Sequence, residues 1–202
     1  MKIIGVCGGS GSGKSEVSAC LGSFGGKVFD TDEMYHRLIE KPSSCVEALV
    51  KAFGDGILCD GAVDRTKLRS IVFADESKRL QLNQISHSFV ALALESELKD
   101  AKKSGYPFAV IDAPLLFEAG IDDWCDLVIA VIADPSLRIQ RIMKRDGITE
   151  EAALERLARQ IPDDELVHRC DAVIRNESSL ENLQKQCKDL LQVMGLCETE
   201  KE

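Results

Sequence analysis

The stretch Ile3-Ile4-Gly5-Val6-Cys7-Gly8-Gly9-Ser10-Gly11-Ser12-Gly13-Lys14-Ser15 decides the fold. An apolar run passes into a loop of Gly, four residues, Gly-Lys-Ser, placed where a first strand hands over to a helix. Glycines let the backbone curl closely enough for successive N–H groups to surround a polyphosphate. The helix that follows points its positive end at that anion. In this pattern Lys14 bridges the β- and γ-phosphates and the Ser15 hydroxyl ligates Mg²⁺. The plain alternative is a flexible Gly/Ser turn, and the order strand, loop, helix argues against it. The pattern implies a nucleoside triphosphate.

The rest of the chain is that of an ordinary soluble protein. Its 202 residues fit one domain with an insertion and suffice for a proper core. Hydrophobic residues make up 45% and charged residues 29%, both ordinary for a globular chain. The net charge of −9 argues against a general nucleic-acid binder, although it leaves room for a local basic pocket. No apolar stretch approaches the roughly 18 residues of a membrane span. Met1-Lys2-Ile3-Ile4 runs straight into the first strand, so no cleavable leader is expected. The eight cysteines are scattered and lack the paired spacing of a zinc site. Reduced thiols in a cytoplasmic protein are the expectation.

Apolar runs at residues 2–7, 27–30, 108–112, 127–132 and 172–174 read as buried parallel strands. Helical patterns cover 14–23, 135–145 and 179–194, the last with Leu180, Leu183, Cys187, Leu190, Leu191 and Met194 on one stripe. Alternating strands and helices predict a doubly wound α/β fold of the P-loop NTPase type, a five-stranded parallel sheet sandwiched by helices. Residues 43–53, 64–72 and 76–103 read as a helical insertion without a convincing strand. Residues 146–169 read as two short polar helices, one capped by Thr149 and one starting at Pro162, placed as a mobile lid. The expected organisation is a core of 1–40, 106–145 and 170–202, an insertion of 41–105 and a lid of 146–169, with a polar, frayed tail after Gly195.

Asp30-Thr31-Asp32 ends the second strand, at the edge where open α/β sheets place their ligands. One carboxylate can hold the water shell of Mg²⁺ while the other orients or deprotonates an attacking hydroxyl. Asp30 reads equally as the N-cap of a helix starting near Glu33. With Ile4–Ser15 and Val28-Phe29-Asp30-Thr31-Asp32 quoted together, the chain resembles dephospho-coenzyme A kinases. Phe53-Gly54, Gly61-Ala62-Val63-Asp64-Arg65, Leu68-Arg69 and Val72-Phe73 also match that family's pattern. So do Asp112-Ala113-Pro114-Leu115-Leu116-Phe117-Glu118, Arg141-Ile142-Met143-Lys144-Arg145-Asp146 and Asp171-Ala172-Val173-Ile174-Arg175-Asn176. The resemblance runs nearly end to end.

It implies transfer of the ATP γ-phosphoryl group to the ribose 3′-hydroxyl of dephospho-CoA, the last step of coenzyme A synthesis, with ATP as donor and Mg²⁺ as the metal. By resemblance Lys14, Asp32 and Arg145 are catalytic, while Gly11, Ser12, Gly13, Lys14, Ser15, Glu16 and Arg141 hold the nucleotide. Asp32, Arg65, Arg69, His87, Leu116 and Glu118 meet the acceptor, and Ser15 and Asp112 serve the metal. Arg141 is placed to cover the adenine face. A monomer with no nucleic-acid or membrane partner is expected. Arg141 and Arg145 also read as exposed helix charges, Asp64-Arg65 as a helix start with a weak surface pair, and His87 as a packing residue. The chain departs from the family in Glu16 and Cys7 where Thr is usual, in Ser10 where Ile is common, and in Ser88 where Pro is usual. Other small-molecule kinases, such as nucleoside, nucleotide or shikimate kinases, share the loop and lid but differ in the insertion. A nucleotide-dependent switch is the rival from another class, and the guanine-reading Asn-Lys-x-Asp sequence does not occur.

Overall fold

The computed structural model describes residues 1–73 and 75–197. In chain order the elements are β1 (Lys2–Cys7), α1 (Lys14–Ser23), β2 (Lys27–Asp30), α2 (Thr31–Ile39), α3 (Ser44–Phe53), β3 (Leu58–Cys59), β4 (Ala62–Val63), α4 (Arg65–Phe73) and α5 (Glu76–Lys103). Then follow β5 (Phe108–Asp112), β6 (Leu127–Ile132), α6 (Pro135–Asp146), α7 (Glu150–Ala158), α8 (Asp163–Arg169), β7 (Ala172–Arg175) and α9 (Leu180–Val193). No helix among the described residues is long and apolar enough to cross a membrane.

The five strands anticipated from the apolar runs form one sheet in the order β2-β5-β1-β6-β7. Parallel pairing sets Val6 of β1 opposite Asp112 of β5 and Cys7 opposite Ala130 of β6. Every residue of β5 is buried, as a strand covered on both faces requires. The contacts divide the chain into two units, Met1–Phe29 with Asp100–Glu202, and Asp30–Lys99. In the first unit, Val17 and Leu21 of α1 and Leu183, Cys187 and Leu191 of α9 pack with Ile4, Val6, Val110, Ile129 and Ile174 from the sheet. Leu180, expected on the buried stripe of α9, is exposed. Leu196 and Cys197 pack against this core, so the tail is held two residues beyond Gly195. The remainder of the expected frayed tail lies outside the described residues.

The second unit has its own core of Ile39, Cys45, Val46, Leu49, Ile57, Val63 and Leu68. Ile39 comes from α2, so α2 packs with the insertion helices and the unit starts at Asp30 rather than at residue 41. Leu82, Ile85 and Phe89 of α5 pack against the same core, whereas Leu80 and Leu92 are exposed. The insertion also contains a strand pair that its residue pattern concealed. β3 and β4 pair antiparallel, Leu58 with Val63 and Cys59 with Ala62, around Asp60-Gly61. Asp60 and Gly61 have φ of 52° and 81°, the two positive values of a type I′ hairpin turn. Asp64 then caps α4, its Oδ1 accepting the N–H groups of Thr66 at 2.9 Å and Lys67 at 3.1 Å.

One close approach in the first unit gives a direct test of the packing. Gly26, between α1 and β2, lies against the fully buried ring of Phe108, and a Cβ there would collide with that ring. Gly26→Ala is expected to cost about 1–3 kcal/mol by overpacking. A urea unfolding curve should show a lower midpoint; an unchanged midpoint would show that Phe108 has room to move.

Candidate active site

The loop between β1 and α1 is shaped from its carbonyl side. Gly8 O accepts from Lys14 Nζ at 2.9 Å, and Gly9 O from the Ser12 N–H at 3.2 Å. Ser10 O accepts from Arg138 Nε at 3.0 Å, and Gly11 O from Arg141 Nη1 at 3.1 Å. Ser12 O accepts from Asn176 Nδ2 at 3.1 Å, and Gly13 O from the N–H groups of Glu16 and Val17. With its carbonyls occupied, the loop offers an incoming group hydrogen-bond donors. The start of α1 agrees with this. Its N-cap, Gly13, makes no side-chain cap, whereas Asp30, Ser43, Asp134, Thr149 and Ser179 all cap their helices. First-turn N–H groups without a capping side chain are an anion site. Ser12 is fully buried, and its Oγ has no hydrogen-bond partner among the described residues.

Three arginines, Arg138, Arg141 and Arg145, lie at spacings of three and four on α6, which puts them on one helix face. Arg141 binds the loop and also donates from Nη2 to Asn176 O at 3.0 Å. Arg145 turns away from the loop. Its Nε donates to Asp146 Oδ1 at 2.7 Å, and Arg156 of α7 pairs with the same carboxylate. The hydrogen bonds from Arg145 and then Arg156 hold the Asp146 carboxyl down at about 2. Arg138 carries the second loop contact, and sequence reasoning missed it. The side chain is 7% exposed and pairs with Asp163 at 2.8 Å. Its signal was the shared face with Arg141, since both rows of spacing include it. Asn176, also missed, is buried just beyond β7, where its N–H donates to Ile132 O at 2.9 Å. Its side chain donates to Glu16 Oε2 at 2.8 Å. That contact explains the carboxylate at position 16, which draws Asn176 onto the loop.

Other expected residues fall on both units. Asp112 is buried at the end of β5. Glu118 is exposed, while Leu116 is fully buried with a methyl 3.0 Å from where a Cβ on Gly5 would stand. In this structure Leu116 therefore packs against β1. Arg169 stacks over the Phe117 ring at 4.0 Å, tying α8 to that segment. Cys7 lies 3.4 Å from Cys170, sulfur to sulfur, and this hydrogen bond together with burial pushes the Cys7 thiol far up, so it stays protonated.

In the second unit the Asp30 carboxylate caps α2, accepting from the N–H groups of Asp32 at 2.9 Å and Glu33 at 3.0 Å. Of the two readings of Asp30, the helix cap is the one realised. Asp32 is exposed in the first turn of α2. Arg65 and Arg69 are exposed one turn apart on α4, and His87 is half-buried on α5. The Tyr35 hydroxyl is buried without a hydrogen-bond partner among the described residues, and burial pushes its pKa up to about 12. No cluster of three or more His, Cys, Asp or Glu side chains among the described residues could hold a metal unaided.

Residues 2–182 match the family described as dephospho-CoA kinase. A dephospho-CoA kinase of Geobacter sulfurreducens is 40% identical over 191 residues, covering 94% of this chain and 97% of the relative. One of Arabidopsis thaliana is 37% identical over 192 residues, covering 95% and 83%. Among solved structures, TT1252 of Thermus thermophilus superposes with a TM-score of 0.81 at 33% identity, covering 96% of this chain and 97% of the other. The dephospho-CoA kinase of Campylobacter jejuni superposes with a TM-score of 0.69 at 26% identity, covering 96% and 98%. A shikimate kinase of Acinetobacter baumannii shares the fold alone, with a TM-score of 0.53 at 15% identity. By sequence over nearly its whole length and by fold, this chain belongs to the dephospho-CoA kinase family.

Proposed function

We propose that the protein transfers the γ-phosphoryl group of MgATP to the ribose 3′-hydroxyl of dephospho-CoA, completing coenzyme A. The observation that carries this reading is the loop whose carbonyls are held by Lys14, Arg138, Arg141 and Asn176. Such a loop supports a polyphosphate because, apart from the N–H groups of Ser10 and Ser12, its N–H groups and the fully buried Ser12 hydroxyl are the polar groups left to face it. Gly11, Ser12, Gly13, Lys14 and Ser15 are the nucleotide-binding residues in this reading, and Glu16 acts through Asn176. Arg141 binds carbonyls with its edge, so its flat face is suited to the adenine.

Phosphoryl transfer asks little covalent chemistry of the protein; alignment and charge stabilisation supply the rate. Lys14 moves its ammonium from Gly8 O toward the β- and γ-phosphates and neutralises the charge on the transferring group. Asp32 accepts or orients the proton of the attacking hydroxyl. Arg145, at the base of the lid (residues 146–169), reaches the transferring phosphoryl after exchanging Asp146 for it. Arg65, Arg69 and His87 of the helical insertion, residues 41–105, meet the acceptor, with Glu118 beside Leu116 at the wall. Ser15 and Asp112 are the oxygen donors suited to Mg²⁺, a hard cation that keeps most of its waters and needs few protein ligands. When bound, Mg²⁺ offsets charge on the phosphate oxygens. The protein acts as a monomer in the cytoplasm, in keeping with eight free thiols.

The test is coenzyme A formation from dephospho-CoA and MgATP, beside a panel of nucleosides and shikimate. ADP release that depends on dephospho-CoA alone fits the proposal; ATP binding with no transfer to dephospho-CoA would discard the acceptor. Asp32→Ala should still bind ATP and lose transfer by roughly 10²–10⁴. Near-normal turnover in that variant removes Asp32 from the chemistry. Lys14→Ala should lower kcat by roughly 10²–10³ through lost charge stabilisation, and unchanged kcat would exclude Lys14 from that role.

A further inference from the structure

Two side chains that touch no expected substrate hold the tip of the phosphate loop. Ser10 has three groups to satisfy, its N–H, C=O and hydroxyl, and all three are taken by Arg138 and Gln160. Arg138 Nε donates to Ser10 O at 3.0 Å. Gln160 Oε1 accepts the Ser10 N–H at 2.9 Å, and Gln160 Nε2 donates to Ser10 Oγ at 3.0 Å. The two holders are themselves joined, since Arg138 Nη2 donates to Gln160 Oε1 at 3.0 Å. Arg138 Nη1 donates to Asp163 Oδ1 at 2.8 Å, which places a carboxylate beside this buried cation. Gln160 lies in the turn between α7 and α8, and Asp163 opens α8 just after Pro162.

We propose that Arg138 and Gln160 are positioning residues of the nucleotide subsite, which fix the loop in its anion-receiving shape from the α7–α8 turn. The inference rests on the reading that the loop takes the phosphates of ATP. A loop with glycine at positions 8, 9, 11 and 13 has much conformational freedom to lose on binding a ligand. A network that orders its tip beforehand lowers that cost, so it acts on nucleotide affinity. The guanidinium fork is the element that makes this possible, because one side chain meets a carbonyl, an amide and a carboxylate at once. An ammonium on a flexible stem does not reproduce that geometry. The Ser10 hydroxyl gives Gln160 Nε2 an acceptor that an apolar side chain at this position would not offer.

The experiment is a double-mutant cycle of Ser10→Ala and Gln160→Ala, read as the Kd of MgATP by calorimetry and as KM and kcat with dephospho-CoA. Ser10 and Gln160 are only half-buried, so these variants keep the fold even if Arg138→Gln does not. Each single variant should raise the Kd of MgATP about three- to tenfold, the range expected of a lost hydrogen bond in a charged network. The double variant should be little weaker than Gln160→Ala alone, because Gln160→Ala already removes the bond to the Ser10 hydroxyl that Ser10→Ala removes. Arg138→Lys, which keeps the charge and loses the fork, should raise Kd as Gln160→Ala does. The KM for dephospho-CoA and kcat should stay within about twofold, as loss of ground-state nucleotide binding requires. Strictly additive effects on Kd, or an unchanged Kd with a lowered melting temperature, would overturn the proposal and leave the network a structural role. A wild-type protein that fails to bind MgATP would overturn the nucleotide reading, and this inference with it.

Discussion

The arrangement on which the site depends is the saturation of six successive carbonyls, Gly8 to Gly13, those of Ser10, Gly11 and Ser12 by side chains from elsewhere in the first unit and the others by the loop and α1 themselves. A peptide group is a dipole, so turning every C=O toward a donor turns the N–H ends the other way. Without those donors a glycine-rich loop would sample many shapes and present lone pairs as often as hydrogens. Three of the donors here are cations, Lys14, Arg138 and Arg141, and hydrogen bonds from ionised donors are the stronger ones. They also place positive charge behind the anion site of a protein whose net charge is −9. The acidic balance of the chain therefore says little about this loop.

The sheet supplies those donors at the right places. β1 lies between β5 and β6, and β6 leads through Asp134 into α6, which carries Arg138 and Arg141. β7, beside β6, leads to Asn176, whose buried amide joins Ser12 O to the Glu16 carboxylate. Strand order, rather than closeness in sequence, thus brings residues 138, 141 and 176 to residues 10–16. Packing such as Gly26 against Phe108 and Leu116 behind β1 keeps the strands in place. The loop's chemistry is in this sense a property of the sheet.

Much of this architecture was legible in the residues. The five strands were found at their boundaries within one residue, because both-face burial leaves unbroken Ile, Val and Phe runs such as Phe108-Ala109-Val110-Ile111. The type I′ turn at Asp60-Gly61 carried a signal too, but each flanking strand has two residues, too few to show alternation. α2 was legible only through its cap, Asp30, because Asp32, Glu33 and Arg37 give it a polar outer face. In α5, Leu80 faces away from the stripe that Leu82, Ile85 and Phe89 form, while Leu92 shares that stripe one turn beyond Phe89 and is exposed past the end of the core. In the site, the loop itself was plain, whereas Arg138 and Asn176 were not. An arginine inside a polar helix is usually exposed, and only the fold brings Asp163 and Gln160 to bury this one. Arg145, which fits the family pattern, pairs with its neighbour Asp146.

The central claim is that the loop is held from its carbonyl side so that its donors meet a polyphosphate. Its most direct test is amide and guanidinium NMR of the protein titrated with MgATP. The account predicts large downfield shifts of the Gly11, Gly13 and Lys14 amide protons, while the Nε–H signal of Arg138 and the Nη–H signals of Arg141 stay protected from solvent exchange throughout. Saturable binding that leaves those amides unmoved, or that releases both arginine signals into rapid exchange, would contradict it.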